Sequence, residues 1–294
     1  MKLNRIIHEF DSIVNADSIL LSYLDTKAFD DKVNLHCFLI GGGTENWNLG
    51  DYLSHTVVEY MLSLKGYSLD QASNGKKDLY AIGSIILMGH QDCTIWGTGL
   101  PFRPSKIRAF FHCPLFRRLD IRAVRGPLTQ NVLEKMGHKC PSVYGDPAVL
   151  MPQIYHPKAK TKEYSRLIIP HFSREKMVNS LSNSDKILSM KTNDYRYVID
   201  EICKAEKVIS SSLHGIILAE SYGVPTVFYQ DRPDEYNFKY TDWYRSTGRN
   251  MKECMTLSDA LKSKPQELPD LREMRKNLMQ SFPYDLWDCI ETRS

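Results

Sequence analysis

From Val208 to Tyr229 the chain reads Val-Ile-Ser-Ser-Ser-Leu-His-Gly-Ile-Ile-Leu-Ala-Glu-Ser-Tyr-Gly-Val-Pro-Thr-Val-Phe-Tyr, and this stretch constrains the fold more than any other. Lys207 to Ile209 has the short β-branched character of a buried strand, and Ile216, Ile217 and Ala219 to Tyr222 recur on one helical face. Gly223 sits where a helix end takes a left-handed residue, and Pro225 forbids continuation. Strand, polar turn, helix and second strand make half of a βαβ unit, the building block of a parallel sheet. The helix is expected to begin near Leu213 to Gly215. The hydroxyls of Ser210, Ser211 and Ser212, unbonded backbone N–H groups and the positive end of the helix dipole then converge where His214 stands. That is an anion site with an acid/base residue beside it. A plainer reading, in which the serines cap the helix and His214 is a hydrogen-bonded turn residue, uses the same positions.

The 294 residues exceed one comfortable core, so two halves of similar size are expected, 1–155 and 156–294. The dividing stretch, Tyr155-His156-Pro157-Lys158-Ala159-Lys160-Thr161-Lys162, is polar, basic and without period. Hydrophobic content of 42% and charged content of 25% are those of an ordinary globular protein. The net charge of +3 and the lack of aromatic–basic interleaving argue against nucleic acid as a partner; the basic clusters fit an anionic small ligand or a substrate at a membrane surface. Seven scattered cysteines without C-x-x-C spacing give neither a disulfide framework nor a zinc site. The first residues meet charge before any apolar run of signal-peptide length, and no segment approaches a membrane span, so the expected location is cytoplasmic.

Taken in order, Val33 to Ile40 is an apolar strand opening into Gly41-Gly42-Gly43-Thr44, followed by Asn48-Leu49-Gly50-Asp51 and a helix from Tyr52 to Leu64. A loop at the carboxyl edge of a doubly wound sheet faces the ligand cleft, which places Asn48, Gly50 and Asp51 there. Asp51 as a simple helix cap is the alternative. Leu79 to Ile86 and Thr94 to Gly99 read as strands, the second entering a loop that carries Arg103. Ile107 to Phe111 alternates as a further strand, and Leu119 to Arg122 as another. Arg125 then precedes a helix running from Leu128 to Met136, with Pro127 in its first turn, where an arginine can grip a carboxylate or phosphate bidentately or simply pair with Glu134 or Asp120. In the second half Leu167 to Phe172 is a strand ending in His171, so His171 and His214 both fall at carboxyl ends and face one cleft. Asp231 to Arg245 is rich in rings and carboxylates, suited to a sugar or to an aromatic satellite cluster, and the segments from Ser258 and from Asp270 look like terminal helices docking back.

An ordered set of short motifs spans residues 35 to 245: Asn48-Leu49-Gly50-Asp51, Ile95-Trp96-Gly97-Thr98-Gly99, Val124-Arg125-Gly126-Pro127, Gly145-Asp146-Pro147-Ala148, Ile169-Pro170-His171, Ser211-Ser212-Leu213-His214-Gly215, and Phe238-Lys239 with Asp242-Trp243-Tyr244. Together they resemble the polysaccharide pyruvyl transferase family, nearest its exopolysaccharide branch with the xanthan ketal pyruvate transferases. The resemblance implies an α/β fold of two Rossmann-like domains facing a cleft, similar to GT-B glycosyltransferases. It also implies transfer of pyruvate from phosphoenolpyruvate to sugar hydroxyls as a ketal, with release of phosphate. The acceptor would be a sugar or lipid-linked oligosaccharide, reached from the cytoplasm with peripheral association at the inner membrane face. The donor is a substrate, and neither cofactor nor metal is implied.

By that resemblance the family's histidine falls on His214, the expected catalytic imidazole, and its arginine on Arg125. The placement of the residues adds Asp51 as the expected base for the acceptor hydroxyl and Arg103, His171, Asn48, Ser211, Ser212, Leu213 and Gly215 as expected substrate contacts beside Arg125. Many members carry arginine where this chain has Ser212, which leaves an anion contact for Arg125, Arg122, Arg103 or a lysine to supply. A nucleotide-sugar glycosyltransferase of the same fold and an inactive carbohydrate-binding relative are the competing readings.

Overall fold

The structure, a computed structural model, describes residues 32–37, 48–73, 77–158, 161–172, 185–230, 237–252 and 256–288. Two four-stranded sheets organise the chain, and every strand pair within them is parallel. The first has the order β1 (Val33–His36), β2 (Lys77–Tyr80), β3 (Cys93–Trp96) and β4 (Leu119–Ala123). The second has the order β6 (Asp185–Ile187), β5 (Tyr164–Ile169), β7 (Ala205–Ser210) and β8 (Thr226–Phe228). The strand–helix alternation of the sequence is thus realised as an α/β protein. In the second sheet the chain runs outward from β5 to β6 and then returns to β7, so β5 and β7 flank a topological switch point, where open α/β sheets bind ligands.

Helices α1 (Leu49–Ser63), α2 (Lys106–Phe111), α3 (Pro127–Lys135) and the short α4 (Met151–Ile154) belong to the first half. In the second half lie α5 (Tyr195–Cys203), α6 (Leu213–Ser221), α7 (Asn237–Ser246), α8 (Leu257–Lys262) and α9 (Arg272–Gln280). α6 buries all nine residues, its apolar Leu213 and Ile216 to Ala219 in the core and its Glu220 against Trp243, Thr226 and Arg249. One apolar core runs through both halves, from Leu53, Val57 and Leu79 to Leu167, Ile216 and Trp243. The terminal helices close it: the Trp96 indole N–H donates to Leu278 O at 3.0 Å, and Arg275 donates to Val149 O at 2.8 Å and to Ser221 O at 2.9 Å.

Two expectations change. Ile107 to Phe111 is helical, because Ser105 caps it by accepting the Arg108 N–H, and five alternating residues are too few to separate a strand period from a helical one. The strand expected from Leu79 to Ile86 stops at Tyr80, and the chain continues as an irregular loop through Gly83, whose φ is +109°. The glycine run 41–43 and residues 231–236 of the aromatic stretch lie outside the described residues.

Candidate active site

The tip of α6 forms the floor of a cavity of about 370 Å³. Ser210 N-terminal to the tip ties it to the sheet: its hydroxyl lies 2.9 Å from both Ile169 O and Ser212 O and accepts the Ser212 N–H. Ser212 is the N-cap, accepting the Gly215 N–H at 3.4 Å. The next helical residue but one, His214, projects into the cavity while remaining buried.

His214 is positioned from two sides by the first half. Its Nε2 stands 3.5 Å from Asp146 Oδ2, and neither of these buried atoms has a hydrogen-bond partner among the described residues. The other carboxylate oxygen of Asp146 accepts the Ala148 N–H at 3.0 Å and so is fixed by its own turn. On the opposite side the imidazole lies on the backbone of Gly50, where an added Cβ would overlap Nδ1, Cγ and Cε1. The ring is thus held with Nε2 toward the Asp146 carboxylate and Nδ1 over the Gly50 backbone.

Asp51, one residue past that glycine, is buried in the first turn of α1 and accepts a hydrogen bond from the Asn48 amide, with its carboxylate against Gly83. It is thus an inward-facing group, not a helix cap. Burial pushes its pKa up to about 6, opposed by the nearby His214, the Asn48 hydrogen bond and Lys239, and reinforced by Asp146. The Leu49 N–H donates to Met190 O of the second half at 2.9 Å, so the turn bearing Asn48 and Asp51 is clamped to the opposite side of the cleft.

Among the residues expected at the site, Asn48, Asp51, His171, Ser212, Leu213 and His214 line this one cavity. Ser211 and Gly215 stand behind the wall: the Ser211 hydroxyl accepts the His171 N–H at 2.8 Å, and Gly215 packs on Ser210 and Ile169. The arginines do not line it. Arg125 is fully buried behind the cavity, donating to Ser84 Oγ at 2.7 Å and Leu100 O at 2.5 Å, with its Nε 3.6 Å from Asp242 Oδ2. It therefore braces the wall, because Ser84 lines the cavity, and does not present its guanidinium to a ligand. Arg122 is bound to Asp120 and Asp285, and Arg103 is exposed beyond Phe102. Among the described lining residues Lys239, on α7, is the lone lysine or arginine.

Two contributors escape a reading by spacing. Asp146 lies in a Gly-Asp-Pro-Ala turn that looks like ordinary punctuation, and Lys239 lies within the aromatic run; both are singled out in the sequence only as members of the ordered motif set. Among the described residues no group of three or more His, Cys, Asp or Glu is disposed to hold a metal ion, and no helix is long and apolar enough to cross a membrane.

The fold and site define an α/β protein with an imidazole–carboxylate pair and a second carboxylate at the switch point of a parallel sheet. The model of the polysaccharide pyruvyl transferase family matches residues 3–230, and the chain belongs to that family of transferases. It is similar to the uncharacterized protein L143 of Acanthamoeba polyphaga mimivirus, 29% identical over 206 residues that make up 67% of each chain. It is also similar to the succinoglycan biosynthesis protein ExoV of Rhizobium meliloti (strain 1021), 30% identical over 134 residues, 44% of this chain and 41% of ExoV. A Klebsiella pneumoniae protein, KP1_0663, matches with a TM-score of 0.48 at 14% identity, over 83% of this chain and 98% of that one.

Proposed function

We propose that this protein transfers the pyruvyl carbons of phosphoenolpyruvate to two hydroxyls of a saccharide in a polysaccharide precursor, forming a ketal and releasing phosphate. The observation that carries the reading is the convergence of His214, held between Asp146 and Gly50, with Asp51 and Lys239 on a single cavity at the tip of α6. Lys239 and the helix tip suit the phosphate and carboxylate of the donor, since backbone N–H groups and a dipole end favour anions. The two halves, 1–155 and 156–294, would then face each other across the cleft in a GT-B-like manner.

The chemistry needs two proton donors and two proton acceptors in turn. The His214 imidazolium, backed by Asp146, gives a proton to the methylene carbon of the donor, and a sugar hydroxyl adds to the neighbouring carbon while Asp51 takes its proton. In the second stage the now neutral His214 takes the proton of the second hydroxyl as it adds, the bond to phosphate breaks, and Asp51 returns its proton to the departing phosphate. Both residues end as they began. Each positioned proton transfer is typically worth about 10² to 10⁴ in rate.

Thermal unfolding tests the donor directly, because a ligand at a hundredfold excess over its dissociation constant adds about 2.7 kcal/mol to the native state. Phosphoenolpyruvate should raise the midpoint, and UDP- and GDP-sugars should not. Stabilisation by a nucleotide sugar alone would turn the assignment to a glycosyltransferase.

A further inference from the structure

Residues 93 to 119 contain Arg103, Lys106, Arg108, Arg117 and Arg118 and not one Asp or Glu. The centre of this segment is α2, a helix that buries none of its residues although it carries Ile107, Phe110 and Phe111. Phe110 is 54% exposed, Leu115 84% and Phe116 54%. The rings form one cluster, with Phe116 5.2 Å from Phe110 and 6.1 Å from Phe111 between centroids. The helix rests on the core through Ala109 and turns this apolar cluster outward, and an exposed apolar cluster marks a surface for something else.

The outward pose of this patch is built in. Arg117, buried between Leu115–Phe116 and β4, donates to Gln91 O at 2.7 Å and to the Cys93 sulfur at 3.1 Å, and also reaches Ile86 O; beside it the His112 ring is buried against His90. The turn from His112 to Arg117 is thus held at both ends, with Leu115 exposed between them. Around the apolar centre stand Arg103, Lys106 and Arg118, all exposed and none in an ion pair with a described acidic residue. The patch reaches the cavity through Phe102, 36% exposed, which lines the cavity and lies 5.8 Å from the Arg108 guanidinium.

We infer that this face docks on the surface of a bilayer containing anionic phospholipid, with Phe110, Leu115 and Phe116 entering the headgroup–acyl boundary and Arg103, Lys106 and Arg118 meeting the lipid phosphates. Exposed aromatic and aliphatic groups among cations that outnumber the acids are what an anionic interface binds; the exposed Asp92, which accepts the Arg118 N–H at 2.7 Å, is the acid beside Arg118. Docked so, the protein holds the mouth of its cavity against the lipid surface. For the transferase reading above, this makes the acceptor one presented at that surface.

The full-length protein is tested by flotation with phosphatidylcholine vesicles and with vesicles one third phosphatidylglycerol, in the absence of donor and acceptor. The wild type should float with the anionic vesicles, weakly with the neutral ones, and less as salt rises. Leu115→Glu with Phe116→Glu, and separately Lys106→Glu with Arg118→Glu, should each lower the bound fraction at least about tenfold while keeping the wild-type circular dichroism and thermal midpoint. Equal flotation of the variants, or no flotation of the wild type, overturns the inference. So does a wild-type dimer that Leu115→Glu converts to monomer, which would assign the patch to a second copy of the chain. A protein that floats but is not stabilised by phosphoenolpyruvate would sink the donor assignment and leave this one standing.

Discussion

The imidazole of His214 rests on the α-carbon of Gly50, and the contact leaves no room for a side chain there. Gly50 is inside a helix, where alanine is ordinarily favoured by about 0.8 to 1 kcal/mol. Gly50→Ala should therefore destabilise the wild type and cut turnover at least about a hundredfold by displacing the ring. In a His214→Ala background the same change should stabilise by close to the helix-propensity value. A double-mutant cycle in thermal unfolding checks this, and additive effects would show that the contact is not the reason for the glycine.

Asp146→Asn keeps one carbonyl oxygen for the Ala148 N–H but presents an amide in place of the carboxylate oxygen 3.5 Å from His214. We expect kcat to fall by about 10² or more with little loss of stability, since the lost charge is the one that stabilises the imidazolium. Thermal unfolding with phosphoenolpyruvate separates this from a packing defect: the variant should keep the wild-type midpoint and the stabilisation by the donor while kcat falls.

Asp51 carries a native pKa of about 6 against an ordinary 3.8, because burial penalises its ionised form. The folded protein therefore holds more protons than the unfolded chain between pH 4 and 6, and this group's contribution to stability falls as pH rises through that window. Asp51→Asn should raise stability above pH 6 by on the order of 2 kcal/mol, with the gain gone near pH 4, and should abolish turnover. In the wild type kcat should decline below about pH 6 as Asp51 loses its capacity to accept a proton.

Arg125 and Asp242 form a buried pair, and burial draws both toward their neutral forms against the partner's charge. Arg125→Met leaves Asp242 uncompensated and should cost about 3 to 5 kcal/mol, much of it recovered in Arg125→Met with Asp242→Asn. Because Arg125 does not reach the cavity, folded double variant should retain stabilisation by phosphoenolpyruvate.

Lys239→Ala should raise the KM for phosphoenolpyruvate at least about tenfold and change kcat less, as expected for a group that binds the anion alike in ground and transition states. Loss of kcat at constant KM would move Lys239 into the chemistry.

The α/β architecture and the placement of His214, His171, Asn48 and Asp51 around one cleft were legible because strand periodicity, Gly223 and Pro225 are local signals, and the carboxyl-edge rule converts them into a position. Arg125 was misplaced for a definite reason. Its motif marks the start of α3, but whether an arginine there points at a ligand or at a partner depends on Asp242, more than a hundred residues on and in the other half. Local pattern is blind to such pairings. The same limit hid Asp146, whose meaning appears only when α6 delivers a histidine to it, and turned α2 into an expected strand, since a helix of six residues that buries none of them fully has too short a core face to register in the sequence.

Asp242 has one more consequence. Its carboxylate, borne by α7, receives the Leu128 N–H, the Thr129 N–H and the Thr129 hydroxyl at the tip of α3, at 2.8, 3.1 and 2.5 Å. Parting the two halves at this point would strand three donors and a guanidinium at one stroke. The gap beside the cavity is therefore fastened from one half of the chain to the other by a single buried carboxylate.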